Sequence, residues 1–516
     1  MTVPFNLIEE KWIPCVRADG VSDTLNLRDI FAQAHQLRTI AGDSPLVTAA
    51  LHRFLLAILH RVFGPEDENA WADLWKRDTL DMVALTAYLN KWKYRFDLFD
   101  EEHPFYQASD KRVKCKSIIS LSIEHSSGNN ATLFDHHTED GGEELTPAQA
   151  TRVLITAQAF GLAGLSGIDQ KFTDGTCAGG ILFLVQGDTL KQTLLLNMLQ
   201  YPPDNDQFGV HTEKDAPAWE MDEPFSQNRS LPHGYLDYLT WQNRRVLFVP
   251  GVVVSKMTMG PALRYDTDLL DPMKNYRIDE KLGHLAMSFS ENRVFWRDSA
   301  SLFSFNENWL GKARPPATFR WLRELVDEGL LEQHKLYRIL ALGMSKKQAK
   351  VFFFRQEQLP MPLDYLTNEL LVGKLDVALS KTGTIVFDLI QAARLMGMYR
   401  QLPKVDEKGW QKQWASLNQN AKAAINDWIA HTGMEHNYWA GLDSSFQIFI
   451  IKLAQDEEAA LNYWHEHLRR AALGAFEQAT AGIGSDSRSF KAVVHGQNYL
   501  DYRLSEVLPR RERSER

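Results

Sequence analysis

Gln358-Leu-Pro-Met-Pro362 divides the chain into two stretches of unlike pattern. Two prolines so close together interrupt any helix, because each lacks a backbone N–H and clashes with the preceding turn. From Leu363 onward, apolar residues recur at helical spacing in four segments, near residues 365–399, 407–431, 445–480 and 487–507. Gln401-Leu-Pro403, His431-Thr-Gly433 and Ala481-Gly-Ile-Gly484 separate them. Amphipathic segments with short connections predict a four-helix bundle over residues 363–508. Pro509 to Arg516 reads as a frayed tail.

Upstream of Gln358 the signals are mixed. Val246–Val249 and Ile181–Val185 are short apolar runs bounded by Gly or Pro and read as buried strands. Ser44-Pro45 opens a helix on which Val47, Leu51, Phe54, Leu55, Ile58, Leu59 and Val62 recur every three or four residues, and Gly64-Pro65 stops it. Phe5 to Val16 is apolar and β-prone and ends at the turn signal Asp19-Gly20. The expected architecture is α+β, with a large mixed α/β domain over residues 1–362 preceding the bundle.

The chain has 516 residues, which at about 150 per domain allows two to four folding units. Apolar residues make up 44% and charged residues 24%, so a disordered chain or a fibre is excluded. Lys and Arg total 57 against 66 Asp and Glu, a formal charge of −9. That average argues against a stand-alone nucleic-acid binder. The distribution is uneven, however. Residues 311–360 carry ten basic side chains against five acids, an excess of +5. Lys111-Arg-Val-Lys-Cys-Lys116 is a second basic cluster, and Glu139, Asp140, Glu143 and Glu144 form an acidic stretch. Basic windows are commonly solvated helix faces. The alternative is a strip for a phosphate backbone, which needs only local charge.

Cys15, Cys115 and Cys177 form no CxxC pair, which argues against a disulfide framework or a zinc finger. The opening MTVPFNLIEEKWIP has acids where a signal peptide needs a basic segment. The most apolar run, Leu51 to Phe63, is broken by His52, Arg53, His60 and Arg61. A cytoplasmic protein without a membrane span is expected.

Catalytic motifs are scarce. There is no GxxxxGK[ST] phosphate loop and no HExxH metal helix. His465 and His467 point about 200° apart on a helix and cannot share a metal from it. His136 and His137 follow Asp135 in a polar stretch without matching ligand spacing. Gly161-x-x-Gly164-x-x-Gly167 resembles a dinucleotide turn only loosely, since the first GxG is missing. No cofactor and no metal are expected, and the chain reads as a non-enzyme.

Six strings in order carry a resemblance: Phe5–Pro14, Glu102-His-Pro-Phe-Tyr-Gln107, Thr193–Leu199, Gly234–Trp241, Asp271-Pro-Met273 and Trp296-Arg-Asp298. The chain resembles the CasA family, the large subunits of the type I-E CRISPR surveillance complex Cascade. The resemblance implies a non-catalytic subunit holding the 5′ handle of the CRISPR RNA. It also implies recognition of the short protospacer-adjacent motif (PAM) in duplex DNA, help in opening it, and recruitment of a helicase–nuclease. The guide then reads sequence by pairing while protein reads a few base pairs and backbone.

Site residues follow from the same resemblance. The loop contacting the RNA handle and neighbouring subunits falls on Asn129 to His136, with Asn130, Leu133, Phe134, Asp135 and His136 as its contacts. The turn approaching the DNA minor groove is Gly161-Leu162-Ala163-Gly164, where a missing Cβ lets backbone come close to base edges. Ala163 stands where some relatives have a further glycine. The hairpin that splits the first base pair falls on Met344 to Lys350, with Gln348 as the wedge beside Ala349 and with Lys346 and Lys347 toward phosphate. The minor-groove lysine is assigned to Lys281, although the matching register falls near Met287 and Lys274 also lies upstream. Arg469, Arg470, Arg488 and Lys491 are the bundle's candidates for DNA. Two other readings compete: a structural adaptor that binds handle and partners without reading DNA, and a metal-dependent nuclease using His125, Asp135, His136 and His137.

Overall fold

Ser44 and Pro45 start the helix around which the N-terminal unit is built. The Ser44 side chain accepts the Val47 N–H and Pro45 sits where no N–H is needed. The computed structural model describes residues 4–124, 144–201, 214–225, 229–264, 268–291, 293–305, 313–347, 350–484 and 486–508. These form two compact units, residues 1–359 and 360–516, in a mixed α+β fold.

The strands of the first unit are β1 (Ile13–Arg17), β2 (Ser22–Leu25), β3 (Leu37–Ile40), β4 (Cys115–Ser117), β5 (Leu182–Gln186) and β6 (Arg244–Phe248). They continue with β7 (Lys256–Pro261), β8 (Tyr276–Asp279), β9 (Gly283–Ala286), β10 (Ala313–Arg314), β11 (Leu336–Lys347) and β12 (Lys350–Pro362). They pair in four small sheets, ordered β2-β1-β3, β4-β7-β6, β10-β8-β9 and β12-β11-β5. Its helices are α1 (Leu27–Ala32), α2 (Pro45–Phe63), α3 (Glu68–Lys76), α4 (Met82–Lys91), α5 (Pro147–Phe160), α6 (Leu190–Leu196), α7 (Tyr235–Leu239) and α8 (Ala317–Asp327).

Helix α2 is the core of this unit. It is long and apolar enough to cross a bilayer, yet 83% of its apolar window is buried within the protein. Phe54 packs edge-on against Trp12, Phe105, Tyr106 and Trp219, with ring centroids 5.4 to 6.3 Å apart. Its polar residues are also enclosed. Arg53 donates to Asp271 at 2.7 Å, and Tyr238 donates to the same carboxylate oxygen at 3.0 Å. His52 and His60 turn their Nδ1 atoms to the Thr48 and Leu56 carbonyls, and His60 Nε2 accepts the Leu199 N–H at 3.1 Å.

The second unit holds α9 (Asp364–Thr367), α10 (Glu369–Gln401), α11 (Trp410–Ser416), α12 (Gln419–His431), α13 (Met434–Ala440), α14 (Asp443–Gln455), α15 (Glu457–Thr480) and α16 (Ser487–Val507). The expected breaks near Gln401, His431 and Ala481 fall at helix ends. The stretch expected as one segment, 445–480, is instead two helices. Asp456 takes an extended conformation and its side chain accepts the Ala459 N–H, which starts α15. An N-cap made by one aspartate leaves the apolar period intact on both sides, so periodicity does not reveal it. The short helix α13 follows Gly433, whose φ of +63° reverses the chain. The bundle is therefore more subdivided than the sequence predicts. Its core stacks Phe449 on Trp464, which donates to Thr382 at 3.3 Å.

The buried imidazoles set an acid limit on the first unit. Burial pushes both His52 and His60 down to about 4 from the ordinary 6.5. Between about 4 and the ordinary value they stay neutral when folded and gain a proton on unfolding. The denaturant midpoint of the full chain is expected to fall as pH drops from about 6.5 to 4. A midpoint constant between pH 7.5 and 5 would contradict this.

Candidate nucleic-acid interface

The glycine turn is the end of a helix. Thr146 and Gln149 form a capping box that starts α5, and Gly161 closes it by donating to the Ala157 carbonyl at 2.9 Å. The last carbonyls of such a helix need donors. Here the segment 174–177 supplies them: Gly175 N–H donates to Gly161 O at 2.7 Å and Cys177 N–H to Ala159 O at 2.8 Å.

The two glycines of the turn serve different ends. A Cβ on Gly161 would lie 1.9 Å from the Arg244 Nη1. On Gly164 it would meet nothing within 4 Å. Gly164 also pairs with Phe172 by two backbone hydrogen bonds of 3.0 and 3.2 Å, so its backbone is held while its Cα side stays open. Leu165 beside it is 81% exposed.

Arg244, from β6, supports the turn from inside. It donates to the Leu162 carbonyl at 2.6 Å and to Asn243 at 2.8 Å, and lies over the Phe172 ring. Its backbone is clamped to Gln158 of α5 in both directions, at 2.9 and 3.1 Å. Burial lowers its pKa to about 10, opposed by nearby Asp174, and the guanidinium stays charged at neutral pH.

Asp174 then joins the turn to the hairpin. Its Oδ1 accepts the Ala163 N–H at 2.8 Å and its Oδ2 pairs with Lys346 near the end of β11. Strands β11 and β12 are hydrogen-bonded neighbours separated only by Gln348 and Ala349, the arrangement of a hairpin. Gln348 and Ala349 themselves lie outside the described residues. Lys347 and Lys350 at the two strand ends are exposed. Lys346, expected to reach phosphate, is engaged internally.

The Lys111–Lys116 cluster adjoins the same region. Arg112 pairs with Asp110 and donates to Gln170 at 3.1 Å, and Gln170 donates to Ala262 O at 3.1 Å. Lys111, Lys114 and Lys171 are exposed around it. Sequence reasoning noted the cluster but did not join it to the turn. Arg244 and Asp174 were missed entirely, since neither belongs to a motif and their partners are distant in sequence.

Lys281 lies at the exposed β8–β9 turn, where its N–H and that of Leu282 are held by Asp279. No hydrogen bond or ion pair among the described residues joins it to the glycine turn. The base of that hairpin is better connected: Met287 O accepts the Ile181 N–H at 2.7 Å beside β5. Lys274 is buried and donates to Thr176 O at 2.8 Å. The RNA-handle residues Asn130, Leu133, Phe134, Asp135 and His136 lie outside the described residues. The chain on either side is anchored, Glu124 to Ser44 and Leu145 to Val254.

In the second unit, Arg469 donates to the Leu504 and Leu508 carbonyls, and Arg488 to those of Tyr399 and Leu402. Each guanidinium closes a helix C-terminus. Lys491 lies 5.4 Å from the Tyr399 ring centroid, while Arg470 forms an exposed pair with Glu466. Among the described residues no cluster of three His, Cys, Asp or Glu could hold a metal.

Residues 6–475 match the family described as CRISPR-associated protein Cse1. The chain belongs to the Cse1 family. It is 33% identical over 516 residues to the CRISPR-associated protein CasA/Cse1 of Thermus thermophilus, covering 98% of each chain. The crystal structure of Thermus thermophilus CasA superposes with a TM-score of 0.78 at 28% identity, covering 97% of this chain and 99% of that one. A chain of a CRISPR RNA-guided surveillance complex shares the Cse1 fold with a TM-score of 0.72 at 21% identity, over 96% and 99% of the two chains.

The contrast between the two glycines is testable in this Cse1 chain. Gly161→Ala must displace Arg244 and is expected to lower the melting temperature by several degrees, whereas Gly164→Ala leaves it within about one degree. Equal melting of the two variants would contradict the assignment.

Proposed function

We propose that this chain is the non-catalytic large subunit of an RNA-guided Cascade complex in the cytoplasm, where it reads the PAM in duplex DNA and begins its opening. The observation that carries this reading is Asp174. One carboxylate holds the turn able to approach base edges and the strand leading to Gln348. Gly164 leaves room for a groove floor, and exposed Lys111, Lys114, Lys171 and Lys347 supply charge for phosphate. Contacts in the minor groove distinguish base pairs poorly, so several motifs are tolerated.

Gln348 is the wedge. Unstacking costs a few kcal/mol per step, and the paired strands β11 and β12 on either side of Gln348 supply a firm base for it. Lys281 provides a further groove contact from the β8–β9 turn. Arg469, Arg470, Arg488 and Lys491 are the bundle's contacts for DNA. Asn130, Leu133, Phe134, Asp135 and His136 dock the RNA 5′ handle and neighbouring subunits. The opened complex recruits a helicase–nuclease that performs the cutting.

Gln348→Ala is expected to leave assembly intact and to slow opening of a fully paired target, read as R-loop formation by the complete complex. Unchanged opening across salt concentrations would refute the wedge. Phe134→Ala is expected to loosen attachment, read as a reduced share of this subunit on co-purification. Wild-type stoichiometry would refute docking by that ring.

A further inference from the structure

Strand β12 alternates with a period of two. Lys350, Phe352, Phe354, Gln356 and Gln358 are exposed, while the residues between them are half-buried. Phe352 and Phe354 are 53% and 37% exposed. The strand lies at the sheet edge, since the order is β12-β11-β5. Edge strands are commonly protected by charge or kept short, and paired exposed aromatics there are unusual without a ligand.

The opposite face is occupied. Arg355 lies over the Phe353 ring at 4.5 Å and pairs with Glu357 at 3.1 Å, and Glu357 also accepts the Phe295 N–H at 3.0 Å. The only carboxylate of the strand is thereby turned away from the aromatic face. What remains on that face is one cation, two phenyl rings and two amides. Gln356 and Gln358 open onto a cavity of about 350 Å³ also lined by Thr39, Ser44, Thr48 and Gln186.

We propose that Phe352 and Phe354 form a stacking platform for unpaired nucleotides of the displaced DNA strand, released as the duplex opens beside Gln348. This rests on the wedge reading above. Alternate residues of a strand lie about 6.6 Å apart, roughly twice the 3.4 Å base step of a duplex strand. Two bases drawn out of their stack can therefore each lie on its own ring. Stacking on aromatic rings tolerates any base, as a strand of arbitrary sequence requires. Lys350 and Lys347 at the strand ends offer charge to the backbone. The guide pairs with the other strand, which leaves the displaced one free.

The test uses the assembled complex with its guide and a target carrying a mismatched bubble over the first few base pairs, so that no wedge is needed. 2-Aminopurine is placed in the bubble, on the displaced strand or on the target strand. Wild type is expected to quench the displaced-strand probe. Phe352→Ala and Phe354→Ala are each expected to lose that quenching and weaken bubble binding about tenfold. Tyrosine at either position preserves both, and leucine preserves neither. Unchanged quenching and affinity in the double alanine variant overturn the platform, as does quenching confined to the target-strand probe. Loss of co-purifying subunits, restored equally by leucine, overturns it in favour of a protein interface. Gln348→Ala on fully paired DNA judges the wedge separately, because the bubble does not depend on it.

Discussion

A buried carboxylate holds the first unit together. Asp271 and Arg53 are 1% and 2% exposed, and an ion pair so enclosed is costly to separate, about 3–5 kcal/mol when one partner is removed. Burial opposes ionisation of Asp271. Arg53, Lys274, the Met273 N–H and the Tyr238 hydroxyl outweigh it and keep the carboxyl below its ordinary range. Through these groups the core helix α2, the short helix α7 and the segment leading into β8 are fixed to one point. Lys274 then reaches the Thr176 carbonyl, and the adjoining segment 174–177 closes the end of α5. The glycine turn is the outer end of that chain of contacts.

Much of this organisation can be read from local residues. Ser44-Pro45 and Gly64 bound α2 because capping chemistry is local, and the apolar runs around Phe183 and Leu247 became β5 and β6 because Gly and Pro bound them. The helix breaks at Gln401 and Gly433 were likewise written in Pro and Gly. Asp456 was not, since an aspartate on a polar face has the same pattern whether it caps or continues a helix.

The site was legible as separate pieces only. Gly161 and Gly164 stand out in sequence, but nothing nearby tells that one avoids Arg244 and the other faces open space. The links are long-range: Asp174 and Lys346 are 172 residues apart, and Gln158 and Arg244 are 86 apart. Such pairs obey no period or spacing, and only folding brings them together. The same holds for Arg469 and Arg488, which look like surface cations and instead close helix ends.

The Asp174–Lys346 pair also bears on the charge of −9. Salt dependence in DNA binding arises from small ions set free when a cation meets a phosphate. A lysine already matched by an internal carboxylate offers its charge only by exchanging one anion for another within the complex. In the DNA contact proposed above, Lys346 would therefore add little to the ionic-strength slope, and a count of basic residues in the window 311–360 overstates the charge on offer. A phosphate approaching Lys346 would first have to displace Asp174, whereas the exposed Lys347 and Lys350 would meet it without that exchange.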